Sequence, residues 1–158
     1  MHKMKISLTI NNRKKTLDVP VNQTLMDLLR SQGLWSVGHG CETGDCGNCT
    51  VIADGLAVNS CIMLAVQVNG KAITTFEGVS EKSEFSPVKE TLMDFGDSDC
   101  GFCIPGMLMS MKALLDKIPD PTEEELVDAL AGNLCRCTRS VKPVQAILGA
   151  IKKMQGKW

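Results

Sequence analysis

Cysteine placement constrains this chain more than any other feature of its sequence. The 158 residues include eight cysteines, which fall into two groups of four. They are Cys41, Cys46, Cys49 and Cys61 in the first group, and Cys100, Cys103, Cys135 and Cys137 in the second. In a small secreted protein this number would predict a disulfide framework. The N-terminal segment MHKMKISLTI alternates in polarity, and no twin-arginine pair is present, so no export signal is indicated. We therefore expect a cytoplasmic protein with reduced thiols, whose use is metal ligation.

Charge and composition argue against two classes of partner. The formal net charge is −1, so the chain has no basic field that would attract nucleic acid. Aromatic residues make up 4% of the chain and tyrosine is absent, which argues against base stacking on single strands. The longest apolar run is too short to span a bilayer. We expect neither nucleic-acid binding nor membrane insertion.

A polar segment separates the two cysteine groups. Residues 76–87 contain glycine, serine and proline in the proportions of a linker. This predicts a domain boundary near residue 80, with one domain over residues 1–79 and a second over residues 80–158. A core of about 80 residues rarely supplies more than about 3–5 kcal/mol, so a bound metal centre in each domain would add needed stability.

The first half carries the signals of a small mixed sheet. Residues 5–10 and 16–19 alternate in polarity around Asn11-Asn12, which predicts a β-hairpin. Thr24 is placed to cap a short helix that carries three leucines. Residues 50–52 and 72–76 are predicted as further strands. A hairpin, a helix and later strands in this order suit a β-grasp domain.

The second half carries the signals of helices. A Ser-Pro pair at residues 86–87 and Pro105 are each placed to open a helix. Thr122 and Glu125 form a capping box ahead of an apolar run. A last helix is predicted over residues 143–154. Four helices in a segment of this length predict a small helical bundle.

Three alternate residues of the helix after Pro105 are methionines. Met107 and Met111 share one helical face and are expected to lie in the core. Met109 lies on another face, so it is predicted to be exposed or to contact a partner.

The first cysteine group has the spacing of a plant-type ferredoxin. The segment CETGDCGNC at residues 41–49 reads C-x4-C-x2-C, and the fourth cysteine follows after eleven intervening residues. Gly44 and Gly47 can take positive φ and let the backbone pass close to a cluster, with amide N–H groups aimed at its sulfurs. Zinc sites favour two C-x2-C-like pairs instead. A Rieske centre needs two histidines, so His39 is predicted to be a surface residue or a neighbour of the ligands. This group predicts a 2Fe–2S cluster.

The second cysteine group consists of a C-x2-C and a C-x-C motif. Residues two apart on a helix point in nearly opposite directions, so Cys135 and Cys137 are predicted to lie in a turn, which residues 132–133 supply. Cys100 and Cys103 precede a predicted helix whose positive end favours thiolates. By spacing alone, zinc remains an alternative to iron here.

Taken together, four stretches of the chain resemble one protein family. The chain resembles the small iron–sulfur subunit of the molybdenum hydroxylases, the family of xanthine dehydrogenase, aldehyde oxidoreductase and carbon monoxide dehydrogenase. The resemblance runs from about residue 3 to about residue 150 and rests on order and spacing as well as on the motifs. The stretches are CETGDCGNCTV at residues 41–51, VNSC at 58–61, CGFCIPGM at 100–107 and GNLCRCT at 132–138.

The resemblance implies both a fold and a function. The fold is α+β, with an N-terminal β-grasp domain like plant-type ferredoxins followed by a C-terminal four-helix bundle, and a 2Fe–2S cluster in each. The resemblance implies a large partner subunit with a molybdenum–pterin cofactor, in which the substrate is hydroxylated, and a medium subunit with FAD. Electrons would pass from the molybdenum site to the helical-domain cluster, then to the β-grasp cluster, then to the flavin. This chain would contribute no catalytic residue.

Four positions depart from the family pattern. Asp99 stands where the family usually has a glutamine that contacts the pterin, so the resemblance assigns pterin contact to Asp99, whereas the predicted contact of Gly44 and Gly47 is with the first cluster. Ile104 replaces a usual threonine. Arg139 and Ser140 replace a usual Gly-Tyr pair, and several of these positions are expected to face the partner that holds the pterin. The four departures from the family pattern are Asp99, Ile104, Arg139 and Ser140.

Two other functions remain open from the sequence. The chain could be an independent two-cluster ferredoxin or a redox module of another assembly. It could also be a scaffold stabilised by zinc. The substrate of the complex is not encoded here, because no substrate-binding residue need lie in this chain.

Overall fold

Residues 2–80, 86–97, 100–137 and 142–154 are described by the computed structural model. Within these ranges the strands are β1 (Lys3–Ile10), β2 (Arg13–Pro20), β3 (Thr50–Ala53), β4 (Leu56–Asn59) and β5 (Ala72–Thr74). The helices are α1 (Leu25–Ser31), α2 (Phe76–Ser80), α3 (Ser86–Asp97), α4 (Ile104–Leu115), α5 (Glu123–Leu130) and α6 (Lys142–Met154), and a 3-10 turn covers Ala65–Val68. None of the described helices is long and apolar enough to cross a membrane.

The hairpin forms where the sequence places it. Asn11 and Asn12 both have positive φ, at 47° and 65°, which suits the two central positions of a tight hairpin turn. The turn sets the antiparallel register of β1 and β2, in which Ile10 lies opposite Arg13. Alternate residues of β1 then face the core, and Ile6 and Leu8 are almost fully buried.

The five strands form one mixed sheet in the order β2-β1-β5-β3-β4. β1 and β5 are parallel, and the remaining pairs are antiparallel. Helix α1 begins at Thr24, whose hydroxyl accepts a hydrogen bond from the N–H of Asp27, and it buries three leucines in the core of the sheet half. This is a ferredoxin-like arrangement. The sequence did not predict β4, and β5 ends earlier than predicted because Phe76 begins α2.

The second half is helical. Helix α5 begins with the predicted capping box, in which Thr122 and Glu125 bond reciprocally. Helices α3 and α6 pack on each other, as do α4 and α5. Met107 and Met111 are buried as predicted, but the prediction for Met109 is wrong, because its side chain is only 1% exposed. Helix α4 is covered on more than one face, since it packs against strands β3 and β4 as well as against α3 and α5.

The segment between the halves begins as a helix instead of an irregular linker. Helix α2 packs on α4, and Val79 is buried in the helical core. Residues 81–85 lie outside the described residues. The predicted boundary between residues 79 and 80 stays a prediction.

Candidate metal centres

The first cysteine group lies around one loop between α1 and β3. Cys46 and Cys49 are buried, at 8% and 2% exposure, and Cys41 is half-buried. The carbonyl of Cys49 accepts hydrogen bonds from the N–H and the hydroxyl of Ser60, at 3.3 and 2.6 Å. This pairing, at the ends of β3 and β4, brings Cys61 beside Cys49.

Glycines at two positions allow the tight path of this loop. Gly44 and Gly47 have φ values of +83° and +68°, a region that side-chain-bearing residues rarely adopt. A Cβ on Gly44 would lie 2.9 Å from Cγ2 of Ile62, and one on Gly47 would lie 2.2 Å from the carbonyl oxygen of Gly132. Both glycines therefore hold the conformation and the close contacts of the loop.

Backbone amides converge on the thiol of Cys41. The N–H and thiol of Cys46, with the N–H groups of Thr43 and Gly44, bond to this sulfur and lower the pKa of Cys41 to about 6. Hydrogen bonds to the charged form of a group favour that form. The loop therefore stabilises negative charge at the sulfur.

Burial has the opposite effect on the pKa of two other thiols of the group. Burial, then the contact with Cys49, then the nearby thiols of Cys41 and Cys46 raise the pKa of Cys61 to about 12. Burial also raises the pKa of Cys46. The nearby thiols of Cys49, Cys41 and Cys46 therefore disfavour ionisation of Cys61, an effect that a bound cation would offset.

The second group is assembled at one end of α4. Cys103 is the N-cap residue of α4 and contacts Cys135, which follows α5 in an irregular turn. Burial, followed by the Cys135 thiol, raises the pKa of Cys103 to about 12. The Sγ atoms of Cys100 and Cys137 lie 3.9 Å apart, and both residues are exposed. The predicted turn is confirmed.

Both groups border one cleft of about 440 Å³ between the two halves. Phe102 and Arg136 contribute to its wall and are exposed. The spacing within each cysteine motif does not predict this common cleft, because each motif describes only its own loop. The cysteines that line the cleft are Cys41, Cys46, Cys100, Cys103, Cys135 and Cys137.

Two hydrogen bonds join the two cysteine loops directly. The N–H of Leu134 donates to the carbonyl of Cys46 at 3.0 Å, and Nδ2 of Asn133 donates to the carbonyl of Gly47 at 3.0 Å. Asn133 is 2% exposed, and its Oδ1 accepts from the hydroxyl of Ser110 at 2.6 Å. From the sequence, Asn133 was only a turn residue.

The arrangement of the thiols fits a two-iron cluster in each group. The thiols approach in pairs, and a 2Fe–2S cluster takes four cysteines, two on each iron. The pairs are Cys41 with Cys46, Cys49 with Cys61, Cys100 with Cys137, and Cys103 with Cys135.

The structure describes some of the remaining predicted positions. Asp99, Arg139 and Ser140 lie outside the described residues. Ile104 is 7% exposed and packs in the helical core, so it does not face outward. Nε2 of His39 lies 3.0 Å from Oε1 of Glu42 at the surface, which agrees with the prediction of a surface position.

Family models and relatives agree with this geometry. A model described as 2Fe-2S iron-sulfur cluster binding domain matches residues 8–73, and one described as 2Fe-2S binding domain matches residues 75–148. The nicotinate dehydrogenase small FeS subunit of Eubacterium barkeri is 44% identical over 154 residues, covering 97% of this chain and 98% of that protein. The xanthine dehydrogenase iron–sulfur-binding subunit of Escherichia coli O157:H7 is 42% identical and covers 93% of this chain and 94% of that protein.

Solved structures lead to the same family. Quinoline 2-oxidoreductase from Pseudomonas putida 86 contains a chain with a TM-score of 0.86 and 35% identity, covering 98% of this chain and 97% of that chain. Aldehyde oxidoreductase from Desulfovibrio gigas matches with a TM-score of 0.87 and 38% identity, but over only 18% of its longer chain. With a 2Fe–2S-binding domain in each half and relatives matched over nearly their full length, the chain belongs to the small iron–sulfur subunits of the molybdenum hydroxylases.

Proposed function

We propose that this electron-transfer subunit connects a molybdenum–pterin site in a large partner subunit with FAD in a medium subunit. The observation that carries the proposal is the common cleft, because two cysteine groups whose loops are hydrogen-bonded to each other form a relay and not two unrelated metal sites. Each bound 2Fe–2S cluster supplies one-electron chemistry. The chain itself holds, insulates and orients the clusters, and contributes no catalytic residue.

All eight cysteines are proposed as ligands. The four close thiol pairs support this, since each pair provides two sulfurs for one iron. Gly44 and Gly47 are proposed to bring the backbone of residues 41–49 close to the first cluster. The N–H groups on Cys41 support that role, because they favour negative charge at a ligand sulfur. The ligands are Cys41, Cys46, Cys49 and Cys61 for the first cluster, and Cys100, Cys103, Cys135 and Cys137 for the second.

The exposure of the two groups supports the proposed order of electron transfer. Cys100 and Cys137 are exposed, and Phe102 and Leu134 beside them are exposed apolar side chains, at 52% and 54%. This surface suits contact with the large subunit, which would deliver electrons to the helical-domain cluster first. The first group lies deeper in the chain and would pass electrons to the flavin subunit. The contact between Asp99 and the pterin stays a prediction.

The substrate of the complex is proposed to be a nitrogen heterocycle. Relatives at 44% identity are named for nicotinate and for nicotine, and a matched structure is named for quinoline. Hydroxylation would occur in the partner subunit.

Two finer descriptions also stay predictions. They are the four-helix bundle for the helical half and the cytoplasmic location. An independent ferredoxin is the less favoured alternative, since the matched relatives are named as subunits.

Purification of the native complex tests this function. We expect molybdenum and FAD to co-purify with the chain, and four iron and four labile sulfide per chain, two of each for each 2Fe–2S-binding domain. The matched control is the chain expressed alone, which should be brown and show two paramagnetic signals on reduction but no turnover of heterocycles. Zinc in anaerobic material, or a free monomer at every purification step, would contradict the proposal.

A further inference from the structure

The peptide between Gly47 and Asn48 is hydrogen-bonded on both sides. Its carbonyl oxygen accepts three hydrogen bonds, from the N–H of Thr50 at 3.1 Å, from the hydroxyl of Thr50 at 2.6 Å and from Nδ2 of Asn133 at 3.0 Å. Its N–H, which belongs to Asn48, donates to the thiol of Cys46. One peptide therefore connects a first-group sulfur with a side chain from the loop of the second group.

The orientation of the Asn133 amide is determined by its partners. A carbonyl oxygen only accepts hydrogen bonds, so the NH2 group of Asn133 must face Gly47. Its Oδ1 then accepts from Ser110, at 2.6 Å. Asn133 and Ser110 are 2% and 7% exposed, so water competes little for these groups. Ser110 thereby holds the amide in the orientation that donates to Gly47.

Glycines make this contact possible. A Cβ on Gly106 of α4 would lie 2.3 Å from the carbonyl oxygen of Gly47, and a Cβ on Gly47 would lie 2.5 Å from Nδ2 of Asn133. Helix α4 and the second-group loop therefore approach the peptide more closely than any side chain would allow. Among the described residues of the second half, Asn133 is the one whose side chain donates to the carbonyl of Gly47.

We propose that Asn133 is a positioning residue that, from the second cysteine loop, sets the reduction potential of the cluster in the first. Hydrogen bonds on a carbonyl polarise the peptide and strengthen its N–H as a donor. A stronger N–H at the Cys46 sulfur stabilises the extra negative charge of the reduced cluster and so raises its potential. The inference rests on the proposed function, since it requires a cluster on Cys46.

Redox titration followed by EPR on the cluster-loaded chain tests the inference. Asn133→Ala should lower the equilibrium constant for reduction of the first cluster by up to about tenfold, which equals about 59 mV for a one-electron couple. The potential of the second cluster should change much less. Ser110→Ala should lower the first potential in the same direction but by less. Ser110→Thr keeps the hydroxyl and should restore the wild-type value.

A stability control separates tuning from loosening of the fold. Leu126→Ala removes a fully buried side chain of α5 that forms none of these hydrogen bonds, so it should lower thermal stability and leave the first potential unchanged. If Asn133→Ala does not fold, Ser110→Ala and Ser110→Thr carry the test. Equal potentials in wild type and Asn133→Ala, or in the two Ser110 variants, would overturn this inference alone. Wild-type chain without two clusters would overturn the proposed function with it.

Discussion

Each cysteine group offers four thiols, but the two groups differ in how far the chain buries them. In the first group, Cys46 and Cys49 are buried under the chain's own loop. In the second, Cys100 and Cys137 are exposed. The first group takes three of its proposed ligands from one nine-residue loop, residues 41–49, whose backbone can close around them. The second takes its proposed ligands from two segments that are far apart in the sequence and meet near the start of α4, where Cys103 is the N-cap residue. The burial of each group thus follows from how close together its cysteines lie in the sequence.

Removing one proposed ligand from each group should give the largest effect. Cys49→Ser should abolish the first cluster, halve the iron content and loosen the sheet half, because Cys49 lies in the core of that half. Cys135→Ser should abolish the second cluster and loosen mainly the helical half. Iron analysis combined with hydrogen exchange of the two halves measures both effects. Equal loss of both clusters in either variant would show that the halves are not independent.

Chelation should separate the two groups by exposure. In the isolated chain, an iron chelator should remove the second cluster several-fold faster than the first, because its outer thiols are open to solvent. EPR of the reduced chain at successive times follows the two signals separately. The native complex is the control, since a large subunit that covers Phe102 and Leu134 should slow loss of the second cluster. Equal rates of loss of the two clusters in the isolated chain would show that thiol exposure does not determine how fast a cluster is removed.

The features that the sequence predicted are those encoded over a few residues. The hairpin at Asn11-Asn12 and the capping box at Thr122 and Glu125 are confirmed, because each depends on backbone preferences and hydrogen bonds within one turn. The C-x4-C-x2-C motif likewise encodes its own loop. The first 2Fe–2S-binding domain could therefore be anticipated from a local pattern, whereas the second, for which spacing alone left zinc open, was anticipated only from the family resemblance.

The features that the sequence did not predict depend on distant contacts. Met109 is buried because α4 packs against the sheet half as well as the other helices, and helical periodicity alone shows only one of these faces. The bond from Asn133 to Gly47 joins residues 86 positions apart. The common cleft likewise forms from residues that are far apart in the sequence. No spacing rule within either motif contains the information that the two loops meet.

The close approach of the two loops should be sensitive to one methyl group. Gly106→Ala should lower the free energy of unfolding by about 1–3 kcal/mol, because the new Cβ meets backbone that cannot move aside without separating the loops. Gly149→Ala is the matched control. Gly149 is also helical, but a Cβ there has nothing within 4 Å, so it should stabilise α6 by up to about 1 kcal/mol. Urea unfolding of both cluster-loaded variants measures the difference. Equal changes in the free energy of unfolding in the two variants would mean that the two cysteine loops can separate at little cost.

The smallest expected effect concerns the segment that leads into the first group. Glu77 of α2 accepts hydrogen bonds from the N–H and hydroxyl of Ser36, at 3.0 and 2.6 Å, and from the hydroxyl of Thr75 at 2.5 Å. Burial acts to raise the pKa of Glu77, but these hydrogen bonds outweigh it, so the pKa lies below its ordinary value of 4.5. The stabilisation is therefore complete above that ordinary value and is lost as the pH falls through the lower folded-state value.

Glu77→Gln should consequently weaken the anchoring of residues 33–40 and leave the second group unaffected. Near neutral pH we expect a local loss of about 1 kcal/mol, since an amide replaces a charged acceptor of several hydrogen bonds. Hydrogen exchange of residues 33–40 should be faster in the variant, whereas exchange of residues 130–137 should match the wild type. The difference should shrink as the pH is lowered within the range where the visible spectrum shows both clusters intact, because the wild-type carboxylate then begins to take up a proton. A difference that stays constant over that range, or that extends to residues 130–137, would mean that Glu77 acts through the packing of α2 on α4 and not through its charge.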